Sequence, residues 1–234
     1  VQIPLELKLR VKASLDAYVS EGNSQPVQAL TDLLQSSGHG LVYLWGKADT
    51  GKTHLLAGLC ERADAESLNS IYLPLAQAHD FSPEICDGLE QADLVCLDDI
   101  DRIAADQNWE TALFHLYNRL RDLGKKLLVS STASPANSAI QLADLKSRLA
   151  WGVNLHLHEL SDDAKKQVLQ QRAKQLGMSL PDETANFLLR HHKRQLGELL
   201  GTLQKLDQAS LAAQRKLTVP FVRDILAEQE VTGA

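Results

Sequence analysis

The stretch Gly46-Lys47-Ala48-Asp49-Thr50-Gly51-Lys52-Thr53 satisfies G-x-x-x-x-G-K-[ST] at every fixed position, and it constrains the fold more than any other part of the chain. The pattern has physical meaning only between a strand and a helix. Residues 41–45 (Leu-Val-Tyr-Leu-Trp) supply an apolar strand that follows the turn-rich Ser36-Ser37-Gly38-His39-Gly40, and a helical pattern begins at about Lys52. In that setting the small residues Gly46, Thr50 and Gly51 let backbone N–H groups turn inward around phosphate oxygens. The helix N-terminus adds partial positive charge, Lys52 reaches the outer phosphates, and Thr53 offers a hydroxyl to Mg2+. Asp49 is an awkward member, because it puts a carboxylate into a loop that accepts anions.

Four more short apolar runs follow, at residues 70–75, 94–97, 126–130 and 153–157, with helical patterns between them. Strands that alternate with helices predict a five-stranded parallel sheet covered on both faces, and the lack of polar alternation within the runs agrees with burial on both sides. The third run ends in two acids, Asp98 and Asp99. A carboxylate at the end of a buried strand downstream of the phosphate loop is placed to hold Mg2+, and its neighbour to orient an attacking water. After Leu160 the pattern is helical only. Ser161 is an N-cap signal with Asp162 and Asp163 in the first turn, Gly177 a stop, Pro181 a start, and further helices are expected from about Arg194 to Ala213 and from Pro220. The expected layout is an N-terminal peptide at 1–10, an α/β nucleotide-binding domain at 11–160 and a small all-helical lid at 161–234.

Charge and cysteine content narrow the functions. A net charge of −6 argues against a broad phosphate-neutralising surface, since nonspecific nucleic-acid affinity rests on clustered Lys and Arg. No run approaches the roughly 18 apolar residues a membrane span requires, and the start Val1-Gln2-Ile3-Pro4 lacks the charged segment and apolar block of a leader, so a cytoplasmic protein is expected. Cys60, Cys86 and Cys96 are odd in number and far apart, which predicts buried thiols rather than disulfides or a metal quartet. His191 and His192 point about 100° apart on a helix. His156 and His158 share a strand face without further ligands, so none of the four is expected to bind metal.

Taken together these motifs resemble the DnaA/Hda family of AAA+ proteins. Lys52-Thr53-His54-Leu55-Leu56 is similar to the family's exit from the phosphate loop, Leu97-Asp98-Asp99-Ile100 to its Walker B strand, and Phe114-His115-Leu116-Tyr117-Asn118 to the helix after it. Leu145-Lys146-Ser147-Arg148-Leu149-Ala150-Trp151-Gly152 resembles its box VII, Arg194-Gln195-Leu196 its sensor 2, and Leu217 to Val222 the start of its last helix. The segment from Ala17 to Asn23, with Tyr18 and Val19, resembles the one that packs on adenine, and the resemblance places His54 beside the same nucleotide. It implies an adenine nucleotide, ATP or ADP, with Mg2+ on Thr53 and Asp98. Asp99 would orient water, Thr132 (or Ser131) would serve as sensor 1, Arg194 would reach the phosphates, and Arg148 would act as an arginine finger on a neighbouring subunit's nucleotide.

The N-terminal Gln2-Ile3-Pro4-Leu5-Glu6-Leu7 resembles the family's clamp-binding hexapeptide, with Gln2, Ile3, Leu5 and Leu7 as anchors, although Pro4 and Glu6 depart from the pattern. Residues 227–234 are too short for the helix-turn-helix domain of an initiator. The chain also opens at Val1 rather than Met, which leaves room for residues upstream. The resemblance therefore implies a regulatory adaptor. It would bind the DNA polymerase sliding clamp, reach DNA through that clamp, and stimulate hydrolysis of DnaA-bound ATP, a negative control on replication initiation; self-association is a further expectation. The alternative is a self-sufficient ATPase that loads a replicative helicase, like DnaC.

Overall fold

The computed structural model describes residues 13–191, 195–213 and 215–232. They form two compact units that divide after Glu159.

The first unit is built on five strands, β1 (Gly40–Trp45), β2 (Ser70–Pro74), β3 (Leu94–Asp98), β4 (Lys126–Ser131) and β5 (Val153–His156). All pair in parallel, in the order β2-β3-β4-β1-β5. Alternation within each strand sends side chains to two different cores. Leu41 and Tyr43 of β1, Val95 and Leu97 of β3, and Leu127 and Val129 of β4 face one cluster. That cluster is completed by α3 (Gln107–Asp122) and α4 (Ala143–Trp151). Val42 and Leu44, Leu94 and Cys96, and Leu128 face the other, with α1 (Ser24–Gln35) and α2 (Lys52–Ala65). Both faces are therefore apolar, which is why the sequence shows unbroken hydrophobic runs.

The order also places the site. The chain leaves β1 for the far edge at β2 and fills back through β3 and β4, so the C-terminal ends of β1, β4 and β3 lie side by side. In open parallel sheets that end is where the loops form a crevice.

The second unit contains α5 (Asp162–Gln175), α6 (Asp182–His191), α7 (Leu196–Ala213) and α8 (Val219–Thr232). Ser161 caps α5 by accepting from the Ala164 N–H at 3.1 Å, and Gly177 takes the left-handed turn beyond its end with φ +80°. Leu169, Leu188, Leu199, Leu203, Leu206, Phe221 and Val222 form its core. The Thr184 hydroxyl donates to the Leu217 carbonyl at 3.1 Å and ties α6 to the segment before α8. Among the described residues no helix is long and apolar enough to cross a membrane, and no cluster of three metal-ligating side chains occurs. All three cysteines are free and buried.

Candidate functional site

The loop between β1 and α2 has little freedom. Gly46 sits so close to the β5 exit that an added Cβ would stand 2.7 Å from the Leu157 carbonyl oxygen. Gly51 has φ +89°, and a Cβ there would meet the Tyr18 ring at 2.7 Å. Both glycines are thus demanded by geometry. The Tyr18 hydroxyl donates to the Thr50 carbonyl at 3.0 Å. Asn23, fully buried, donates to that hydroxyl at 3.3 Å and exchanges two hydrogen bonds with the backbone of His158. Burial pushes the Tyr18 phenol up to about 12, so it stays a neutral donor. His54 meets the Ser14 carbonyl at 3.0 Å through Nε2 and lies 6.2 Å from the Tyr18 ring, and Val19 is half-buried beside Tyr18. Tyr18 and His54 thus lie close together beside the loop, with Val19 next to Tyr18 in the chain. Asp49 is exposed and has φ +62°.

Lys52 is 7% exposed, and its ammonium donates to the carbonyls of Gly46 at 2.8 Å and Lys47 at 2.9 Å. Burial lowers its pKa, while Asp99, Asp98, Asp101 and Asp49 partly restore it. The next residue, Thr53, donates its hydroxyl to Asp98 Oδ2 at 2.7 Å. Asp98 is 3% exposed and accepts two more hydroxyls, Tyr72 on Oδ2 at 2.7 Å and Ser130 on Oδ1. Ser130 also accepts the Asp99 N–H at 2.8 Å, so a single side chain from β4 fixes both acids. Asp99 takes a left-handed conformation with φ 58° and ψ 54°, and burial followed by the charges of Asp98 and Asp101 raises its pKa. Lys52, Thr53, Asp98 and Asp99 thus converge at one end of the sheet. A threonine hydroxyl beside aspartate carboxylates is a hard-oxygen donor set, which suits a divalent cation of the Mg2+ kind.

Thr132 is exposed and gives its backbone N–H to Asp101 at 2.9 Å, and Ser131 is buried with its hydroxyl on the Ala133 N–H. The hydroxyl that β4 brings to the acids belongs to Ser130, two positions before Thr132 and one before Ser131. Ser130, Tyr72 and Glu110 were missed altogether. Glu110 is 2% exposed; it accepts the N–H groups of Ala105 at 2.7 Å, Gln141 at 3.1 and 3.0 Å, and Leu142 at 2.6 Å. It joins the loop after Asp99 to the start of α4. Burial of an acid with no cation beside it would have required tertiary knowledge, since Glu110 reads in sequence as one charge on an amphipathic helix.

Arg148 lies on α4 with its guanidinium 4.4 Å from the ring of Trp151, which is 70% exposed. Among the described residues no carboxylate pairs with it. His156 stacks on Trp45 at 4.0 Å, with His158 edge-on at 4.5 Å. Arg194, Gln2, Ile3, Leu5 and Leu7 lie outside the described residues.

A parallel sheet of this order, with a phosphate loop after its first strand, an acid at the end of β3 and a separate helical unit, defines a P-loop protein of the AAA+ class. The family model for the bacterial DnaA ATPase domain matches residues 10–156, and that for the Hda lid domain matches residues 162–226. The chain therefore belongs to the DnaA/Hda family. Among solved structures it is similar to domain III of the Thermotoga maritima replication initiation protein DnaA, at TM-score 0.78 and 22% identity over 92% of this chain and 95% of that one. It is also similar to AMPPCP-bound DnaA from Aquifex aeolicus, at TM-score 0.71 and 24% identity over 85% of this chain. A structure titled as a DNA replication initiation factor matches at TM-score 0.70 and 23% identity over 84% of this chain. The chain spans 65% and 64% of those last two proteins.

Proposed function

We propose that this chain is a nucleotide-holding regulatory adaptor of replication initiation, one that supplies Arg148 to ATP bound on DnaA while a sliding clamp tethers it to DNA. The observation that carries the reading is the separation of roles. Thr53 is hydrogen-bonded to Asp98 and Lys52 lies within the field of that acid, while Arg148 has its guanidinium stacked on an exposed Trp151. A guanidinium with no carboxylate partner among the described residues is available to a phosphate outside the chain, where planar, bidentate donation suits it.

In this reading the loop from Gly46 to Thr53 holds an adenine nucleotide, ATP or ADP, as the AMPPCP-bound relative does, with Tyr18, Val19 and His54 beside the base. Thr53 and Asp98 would hold Mg2+, which when bound draws charge from the phosphate oxygens. Lys52 releases the two loop carbonyls and turns to phosphate. Asp99 and Thr132 face the outer phosphate, and Arg194 would close on it from the lid. Gln2, Ile3, Leu5 and Leu7 would occupy clamp pockets as an extended peptide, and tethering then raises the local concentration of two weakly interacting modules.

The experiment measures hydrolysis of DnaA-bound ATP with clamp-loaded DNA, adding wild type, Gln2→Ala or Arg148→Ala. Wild type is expected to accelerate hydrolysis, and each substitution to remove the effect. If wild type gives no acceleration, or both variants remain active, the adaptor reading is wrong. A second reading, a self-sufficient ATPase that loads a helicase, has in its favour the complete set of Lys52, Thr53, Asp98 and Asp99 at one sheet end. It predicts turnover by the chain alone, stimulated by single-stranded DNA.

A further inference from the structure

We infer that Tyr72 is a positioning residue that competes with a divalent cation for Asp98 Oδ2, so that its phenol must withdraw before that oxygen can meet the cation or its hydration water. The inference rests on the reading of Asp98 as that end. Tyr72 lies on β2, the edge strand beside β3, and the parallel register pairs Tyr72 with Cys96 and Pro74 with Asp98. Paired residues of a parallel ladder share a face, so Tyr72 and Asp98 both point towards α2, whose first turn carries Lys52 and Thr53. The tyrosine ring spans the two-residue offset and delivers its hydroxyl to Asp98 Oδ2 at 2.7 Å.

Thr53 donates to the same oxygen, also at 2.7 Å, and Ser130 takes Oδ1. A carboxylate offers about four lone-pair directions, two on each oxygen. With two hydroxyls on Oδ2, a cation or one of its hydration waters can approach that oxygen only by displacing a donor. The two donors are not equivalent. Thr53 can keep its proton on Asp98 while a lone pair of its own oxygen turns to the cation, and the resemblance expects it to do so. Among the described residues the Tyr72 hydroxyl bonds to Asp98 alone, and Tyr72 comes from an edge strand on the opposite side from the loop, so it is the donor that yields. Its ring is packed among apolar side chains of the α2 face, which leaves the rest of the side chain in place when the hydroxyl is removed.

The test titrates Mn2+ into the full chain saturated with ADP and follows free Mn2+ by electron paramagnetic resonance, for wild type, Tyr72→Phe, Tyr72→Leu and Asp98→Asn. ADP affinity in EDTA is measured alongside. Removal of a hydrogen bond to a charged acceptor should tighten Mn2+ binding about 10-fold in Tyr72→Phe. Tyr72→Leu should do the same, with ADP affinity in EDTA unchanged. Equal or weaker Mn2+ binding in Tyr72→Phe overturns the inference, and if Asp98→Asn still weakens binding, the metal reading of Asp98 survives it. If Asp98→Asn binds Mn2+ as wild type does, the metal reading fails and takes the inference with it.

Discussion

The two ends of functional interest in the α/β unit are built on opposite plans. At the C-terminal end of β1, β3 and β4, the central polar groups have internal partners: Lys52 holds two carbonyls, and Asp98 accepts three hydroxyls while almost fully buried. On α4 and the neighbouring edge strand β5, Trp151 and Val153 are 70% and 54% exposed, and Arg148 rests on a tryptophan face rather than a carboxylate. A dense internal network preorganises a site at the cost of independence, because each donor is committed until a ligand replaces it. A half-buried arginine on an aromatic plane is committed to no carboxylate among the described residues. On the proposed function, this contrast separates an end that holds a ligand from one that meets a partner.

The sharpest way to break this contrast is Arg148→Ala. Stimulation of DnaA-bound ATP hydrolysis should fall by about 10³-fold, at the lower edge of what arginine fingers contribute. Melting of the variant should match wild type, since a change at a surface position away from any network is usually within about 0.5 kcal/mol. Next in size is Glu110→Ala. Loss of its carboxylate strands the buried N–H groups of Ala105, Gln141 and Leu142, and urea unfolding should show a loss of about 3 kcal/mol. Because Glu110 joins the loop after the acids to the start of α4, this change should disturb both ends together, whereas Arg148→Ala disturbs one.

The smallest effect is electrostatic. The pKa of Asp99 is raised, so between the ordinary carboxylate value of about 3.9 and the raised one the folded chain binds more protons than the unfolded chain, and stability falls as pH rises through that window. Asp99→Asn removes the penalty. Thermal melts should place the variant slightly above wild type at neutral pH, with the gap closing as pH drops below the ordinary carboxylate range.

How much of this was legible follows from which contacts are local. The phosphate loop could be read because its residues are consecutive and its strand and helix flank it directly. The sheet and its two covered faces followed from runs such as 41–45 and 94–97, and Gly177 and Ser161 marked the ends of helices through rules that act within one turn. Ser130 and Tyr72 could not be read, since each reaches Asp98 only after the chain has placed β4 and β2 on either side of β3. Thr132 drew attention as a polar residue at a strand end, yet its backbone N–H goes to Asp101, while Ser130, two residues earlier within β4, brings its hydroxyl to Asp98. Glu110 was invisible for the same reason as Tyr72, because its partners at 105 and 141–142 are brought together by the fold.

Calorimetric titration of ADP with Mg2+ into Lys52→Ala and Arg148→Ala, side by side with wild type, tests the division between the two ends most directly. Loss of a charged donor should weaken binding by Lys52→Ala about 10- to 100-fold, while Arg148→Ala binds as wild type does. Undiminished binding by Lys52→Ala, or an equal loss in Arg148→Ala, would contradict the account.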